Sequence, residues 1–397
     1  MNVLERFLRY VAVESTAGEE KEDSCSDPKM LVLSRMLYEE LKALNPEEIF
    51  INKFGVVDAK FSGTGTKTRI ALLSHVDTSP QASDKNVKTT ITIYDGKDIR
   101  LNDHMVLSAK DFPSLDHQLN HHIIHTDGTT LLGGDDKAGI AIIMTALTEI
   151  LESNTEHRPL EIIFTTDEEI GADAKHVSMD KVTSKYGYTV DGGDITALSI
   201  ESFTAYSMKV SVTGKSIHPG YAKDKLVNAS VVLMNFQNAL PQFLRPEETT
   251  DKEPFFHLCD IKGTEESATA DYIIRSFDEA QILQMIDLAK FTAKRMNEKI
   301  GYEAIVLDIA NSYHNMKVVL DKYPEIKEEI EGVYNKFNMP YSYEAIRGGT
   351  TGSQLSFMGL PCPNLGTGDY NCHGPYEYVD LEEMEAMVPV VKELMKA

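Results

Sequence analysis

Apolar residues recur at two spacings along this chain, and the segments they mark alternate. Helical spacing predicts a helix over 31–44, and the apolar run Arg69-Ile-Ala-Leu-Leu73 predicts a buried strand. A second helix is expected over 137–151 and a second strand over 160–164. Helices alternating with short buried strands predict an α/β layer structure, with helices covering a central sheet. The stretch 81–128 breaks this rhythm with Asp, Asn, Lys and His, and reads as a polar excursion at the surface.

From about residue 206 the order changes. A strand (206–212), a helix (225–240), two strands (255–261 and 269–277), a helix opening at Asp278 and a strand (304–309) follow in turn. On the second helix Ile282, Met285, Ile286, Ala289, Ala293, Met296 and Ile300 share one stripe, as a 3.6-residue period requires. The order β-α-β-β-α-β is that of a ferredoxin-like unit. After it the α/β pattern resumes with a helix over 323–337 and a glycine-rich stretch. The expected architecture is therefore an α/β catalytic domain with a mixed central sheet flanked by helices, built from 1–205 and 313–397. A smaller ferredoxin-like α+β domain of the lid or dimerisation type, 206–312, interrupts it.

Composition narrows the function without naming it. The 397 residues carry 39 Lys+Arg against 62 Asp+Glu, a formal net charge of −23. No run of Lys and Arg is present to neutralise phosphates, which argues against nucleic-acid binding. The longest apolar stretches, such as 138–147, are about half of the ~20 residues that span a bilayer, so no membrane segment is expected. The first fifteen residues, MNVLERFLRYVAVES, lack the uninterrupted apolar stretch of an export signal. Cys25, Cys259, Cys362 and Cys372 form no C-x-x-C and suit free thiols in a reducing cytoplasm.

Four short segments join a strand end to acids or histidine. In Leu73-Ser-His75-Val-Asp77, residues two apart on an extended chain point the same way, so Asp77 can hold the His75 ring as a carboxylate holds a metal-binding imidazole; a turn with a hydrogen-bonded histidine is the plainer alternative. Gly133-Gly134-Asp135-Asp136-Lys137 puts two acids where a helix starts, which an ordinary N-cap also explains. Asp167-Glu168-Glu169 follows a buried strand, at the place where open α/β sheets set their sites. Asp191 lies in a glycine turn after Val190. Together they supply one histidine and three or four carboxylates from successive strand ends, the inventory of a metal site. Asn371-Cys372-His373-Gly374 adds a further candidate beyond the inserted segment.

In this order the motifs H-V-D-T-S-P, L-L-G-G-D-D-K-A-G, T-x-D-E-E-I-G, V-D-G-G, I-H-P-G-Y-A-K, D-Y-I-I-R, R-G-G-T-T-G-S and N-C-H-G span nearly the whole chain. The sequence resembles the M20 family of co-catalytic zinc peptidases, and within it the peptidase T branch of tripeptide aminopeptidases. The resemblance implies two Zn2+ per subunit, with Co2+ or Mn2+ as substitutes. It places His75 and Asp191 on one zinc, Glu169 and His373 on the other, and Asp135 bridging both. It makes Glu168 the general base towards a bridging hydroxide and Asp77 the orienting acid behind His75. Three liganding carboxylates against two Zn2+ would leave about +1 to acidify water and polarise a carbonyl.

The same resemblance makes His218 the histidine that reaches the oxyanion, in some relatives from a neighbouring subunit, so that a homodimer joins small peptides, tripeptides above all, as an expected partner. Arg275 and Arg347 resemble anchors for a substrate carboxylate, with structural salt bridges as the alternative. Gly134 stands where relatives usually carry Ala, a difference expected to change little. Thr351 stands where many relatives have Asp, which puts a polar role there in question. The histidines 104, 117, 121, 122 and 125 raise a further metal site, against which a polar surface loop is the preferred reading. Three functions remain: the tripeptide aminopeptidase, another M20-type amide hydrolase (carboxypeptidase, dipeptidase or N-acyl amino-acid deacylase), and a non-enzymatic metal-dependent binding protein. The presence of Glu168 counts against the last.

Overall fold

A computed structural model describes residues 1–153 and 155–397. The chain divides into two compact units, one of 1–200, 318–344 and 350–397, the other of 201–317 and 345–349.

The first unit is built on an eight-stranded mixed sheet. Its order is Glu48–Ile51, Val57–Phe61, Leu160–Thr165, Ile70–His75, Tyr186–Val190, Asn364–Leu365, Ala197–Ser202 and Ser342–Ile346. The Ile70–His75 strand lies at the centre and runs parallel to both neighbours, Leu160–Thr165 and Tyr186–Val190. All three strands are buried along their whole length, which is why the first two read as largely apolar runs rather than as alternation; Tyr186–Val190, with Gly187 and Thr189, carries no such run. Because they are parallel, their carboxyl ends emerge side by side, and the chain after each end carries His75 and Asp77, Glu168 and Glu169, or Asp191.

The Gly134–Glu152 helix packs on the Ile70–His75 and Tyr186–Val190 strands. Its approach is so close that a side chain at Gly139 would run into the Val190 carbonyl oxygen. Only glycine fits there, and it sets the start of this helix beside the turn that carries Asp191. The helices Val3–Val11 and Leu381–Leu394 pack on the same helix. The first is closed by a capping box between Asn2 and Glu5, the second by the Asp380 carboxylate, which accepts from the Glu383 amide at 3.0 Å; both satisfy amides that a helix start leaves open.

The 81–128 stretch is more than the expected surface excursion. Its strands Thr90–Ile93 and His122–His125 join Tyr378–Asp380 and Asp369–Tyr370 in a four-stranded sheet. Tyr94, Ile99, Leu101, Leu107, Leu115, Ile123 and Tyr378 form a hydrophobic cluster of their own beneath it. Spaced irregularly among polar residues, these apolar positions match neither period, and their partner strand lies some 250 residues later in the chain. The small sheet fixes the 369–380 hairpin, whose loop carries His373.

The second unit has one four-stranded antiparallel sheet, in the order Phe255–Gly263, Ser267–Ser276, Thr204–Thr213, Ile305–Tyr313. Numbered along the chain this is 2-3-1-4, the ferredoxin-like arrangement of a β-α-β-β-α-β unit. Its two helices, Ala229–Ala239 and Glu279–Ile300, cover one face with Leu233, Phe236, Ile282, Ile286 and Ala289 in a common core. The first of them starts later than the spacing suggested, at an Asn228 cap that accepts from the Val231 amide. Among the described residues no helix is long and apolar enough to cross a membrane.

Candidate metal centre

His75 ends the central strand and is buried, and its two ring nitrogens face different groups. Nδ1 lies 2.9 Å from the main-chain oxygen of Asp77 and Nε2 lies 2.8 Å from Asp135 Oδ1. An Nδ1–H donated to that carbonyl leaves Nε2 with its lone pair towards the acids, the state that binds a metal. The Asp77 carboxylate, 3.6 Å from the ring, has another task as well. Its two oxygens accept the amides of Glu168 at 3.2 Å and Glu169 at 3.0 Å, so it fixes the turn that presents both glutamates.

Asp135 stands between the two histidines. Its Oδ2 is 3.2 Å from His373 Nε2, while Oδ1 faces His75. Glu169 Oε2 is 3.0 Å from the same His373 nitrogen, and Asp191 Oδ1 is 3.7 Å from His75 Nε2. Two triads result, His75–Asp135–Asp191 and Asp135–Glu169–His373, each with its donor atoms within 4.8 Å of one another and both sharing Asp135. Glu168 Oε2 lies 4.0 Å from His75 Nε2, at the margin of the first triad.

The electrostatics are those of acids crowded without enough positive charge. Burial first, and neighbouring acids after it, push Asp191 up to about 7. Burial likewise raises Glu168 well above the usual carboxylate range. His373 is driven the other way, to about 11, by its hydrogen bonds with Asp135 and Glu169. Burial lowers the tendency of His75 to hold a proton, but the Asp191 charge and the hydrogen bond with Asp135 outweigh it and leave the pKa raised. Glu169 Oε1 is buried with no hydrogen-bond partner, a costly state for a carboxylate oxygen. Two imidazoles and three carboxylates, one of which has an unmatched buried oxygen, are a donor set that suits divalent cations of the zinc type.

Further residues hold this centre in ways the motifs do not state. Asp136, adjacent to Asp135, accepts from the Ser74 hydroxyl and from the His75 amide at 3.2 Å, tying the helix start to the strand end. Glu377 accepts from the amides of Leu132 (2.6 Å), Gly133 (2.9 Å) and Asp135 (3.1 Å). Nothing in the sequence marks it beyond its place four residues after His373. Thr351, whose polar role was in question, is buried and donates its hydroxyl to Asp173, an interaction that an aspartate at 351 would turn into a contact between two acids. The difference at 134 is not the neutral one expected. A methyl group there would meet Asp369 Oδ1 and lie 2.7 Å from Val379 Cγ2.

The three remaining residues that the sequence put forward lie in the second unit. His218 is exposed, with Nδ1 accepting the Gly220 amide at 3.1 Å. Arg275 Nη1 donates to the Arg347 carbonyl at 2.9 Å. Arg347 donates to the Asp251 carbonyl and, at 3.2 Å, to the Thr249 hydroxyl, and its guanidinium lies over the rings of Phe203 and Phe255. Neither arginine faces a carboxylate among the described residues; main-chain carbonyls and rings occupy them instead.

The model of peptidase family M20/M25/M40 matches residues 123–397. A peptidase T of Geobacillus sp. strain WCH70 is 41% identical over 401 residues, covering 99% of this chain and 98% of its own. In fold, the chain is similar to the aminopeptidase PepT of Bacillus cereus ATCC 10987, with a TM-score of 0.78 at 20% identity over 99% of this chain and 97% of that one. A tripeptidase from Staphylococcus aureus subsp. aureus mu50 gives the same TM-score and identity, over 100% and 97%. The acid and histidine cluster around His75 thus sits in a chain that belongs to peptidase family M20/M25/M40, with peptidase T proteins as full-length relatives.

Proposed function

We propose that the chain is a tripeptide aminopeptidase working with two Zn2+ held by His75, Asp135, Asp191, Glu169 and His373. The observation that carries this reading is Asp135, which presents one oxygen to each of two histidines, as a shared ligand of two cations does. Such ions supply Lewis acidity, acidifying an attacking water and polarising the scissile carbonyl.

The protein's own groups do the rest. Glu168 takes the proton of the attacking water on its carboxylate and passes it to the departing amine nitrogen as the peptide bond breaks. Asp77 holds the Glu168 and Glu169 amides on its two oxygens, so the base and its neighbouring ligand keep fixed directions. Asp136 and Glu377 anchor the backbone on either side of Asp135. Arg275, Arg347 and His218 remain the candidates for binding the peptide. The full-length likeness to peptidase T proteins supports tripeptides as the substrate class. The four cysteines, all free, support a reducing cytoplasm.

Peptides blocked at one end test the specificity. Free tripeptides should lose their first residue, and N-acetylated ones should resist. Cleavage of the N-acetylated peptides at an undiminished rate would favour the second reading, a carboxypeptidase or deacylase using the same centre.

A further inference from the structure

The histidines that broke the sequence rhythm meet acids from the far end of the chain. His121 and His122 stand where the His122–His125 strand begins. That strand pairs with Tyr378–Asp380, with Ile123 opposite Asp380, and the Leu381–Leu394 helix starts at once after it. The pairing brings His121 Nδ1 to 2.6 Å from Asp380 Oδ2 and His122 Nδ1 to 2.6 Å from Glu382 Oε1. Donor atoms of His121, Asp380 and Glu382 all lie within 4.8 Å of one another. We propose that His121, Asp380 and Glu382 form a second kind of metal site, which binds one divalent transition cation of the zinc type and shares no side chain with the Asp135 cluster. His122 positions Glu382 through its amide and ring.

Each acid is held in place for this task. Asp380 is fully buried, and its Oδ1 accepts the Glu383 amide at 3.0 Å, leaving Oδ2 to face His121. Glu382 Oε2 accepts the His122 amide at 2.7 Å, leaving Oε1 to face the His122 ring. Carboxylates fixed through one oxygen and presenting the other are the arrangement that orients metal ligands. Both rings are partly open to solvent, 33% exposed for His121 and 43% for His122, so an ion has a way in. One neutral imidazole and two carboxylates balance a +2 charge and leave a fourth position for water, and an imidazole donor favours zinc-type ions over Mg2+ or Ca2+. Ligands bonded at about 2.0–2.2 Å stand roughly 3.3–3.5 Å apart around a tetrahedral ion, so the His121–Asp380 pair, 2.6 Å apart, opens by less than about 1 Å on binding. The histidine-to-carboxylate approach is also the one seen at the Asp135 cluster, where His75 and Asp135 lie 2.8 Å apart.

His125, at the other end of the same strand, takes no part. It is buried, with Nδ1 on the Thr126 carbonyl and Nε2 on the Thr92 hydroxyl. A bound ion would clamp the strand entry to the helix start beside the hairpin that carries His373.

Equilibrium dialysis of the intact chain against Zn2+, with metal and protein counted in the same sample, tests the site. The wild type should hold one equivalent more than the His121→Ala/His122→Ala variant, and His75→Ala should retain that equivalent. Glu382→Gln, checked for wild-type circular dichroism, should lose the same equivalent and decides the case should the double variant not fold. Equal zinc in wild type, double variant and Glu382→Gln would overturn the proposal and leave two ordinary histidine–carboxylate ion pairs.

Discussion

Gly134 and Asp369 leave no room between them for a methyl group. The Cβ of an alanine at 134 would meet Asp369 Oδ1 and approach Asp369 Cγ to 2.8 Å and Val379 Cγ2 to 2.7 Å. Asp369 is buried and its Oδ2 accepts from Cys372 Sγ at 2.8 Å, so moving it aside would disturb that bond. Gly134→Ala should therefore lower stability by about 1–3 kcal/mol, the usual cost of overpacking a closed site, as read by chemical denaturation. Wild-type stability in that variant would mean the hairpin yields more easily than its packing suggests.

A second prediction concerns pH. Asp58 is buried on the sheet with Oδ1 unpaired, and burial, helped by the Glu161 charge, raises its pKa from 3.8 to about 7. The native state thus holds this proton more tightly than the unfolded chain. Its contribution to stability is full below about pH 4 and is lost as pH rises through about 7. Asp58→Asn removes the charged form, so the variant should gain roughly 1–3 kcal/mol on the wild type at pH 8 compared with pH 4.5. Denaturation midpoints at the two pH values decide it, and an equal difference at both would rule out Asp58 as the source.

Glu377 provides a third. It collects three amides of the turn leading into Asp135, and glutamine keeps its size while losing the charge that makes those bonds strong. Glu377→Gln should fold but bind metal about 10–100-fold more weakly, the range for groups that orient a ligand. Titration with a chelator measures this, and unchanged affinity would reduce Glu377 to a turn residue.

Part of the cluster was legible because His75, Glu169 and Asp191 stand at or just after the ends of buried parallel strands. Apolar runs before His75 and before Thr165 mark two strand ends, the glycine turn after Val190 marks a third position, and parallel strands deliver their ends to one place. Less legible was whatever depends on pairing across long separations. The strands Thr90–Ile93 and His122–His125 carry polar residues at the edge of a small sheet, so their apolar positions form no clear period until the 378–380 strand is beside them. For the same reason the partners of His121 and His122 could not be read. Asp136 and Glu377 were hidden differently: they bind main-chain amides, and an amide leaves no trace in a sequence. The packing against Asp369 that makes Gly134 necessary is equally invisible from motifs alone.

The central claim is that ligation and proton transfer are divided between neighbours, with Asp135 among the ligands and Glu168 as the base. Metal content and turnover measured on the same preparations of Glu168→Gln and Asp135→Ala test it most directly. Glu168→Gln should keep wild-type metal and lose about 10²–10⁴-fold in turnover, while Asp135→Ala should lose metal. A Glu168→Gln variant that hydrolyses tripeptides at the wild-type rate would contradict the account.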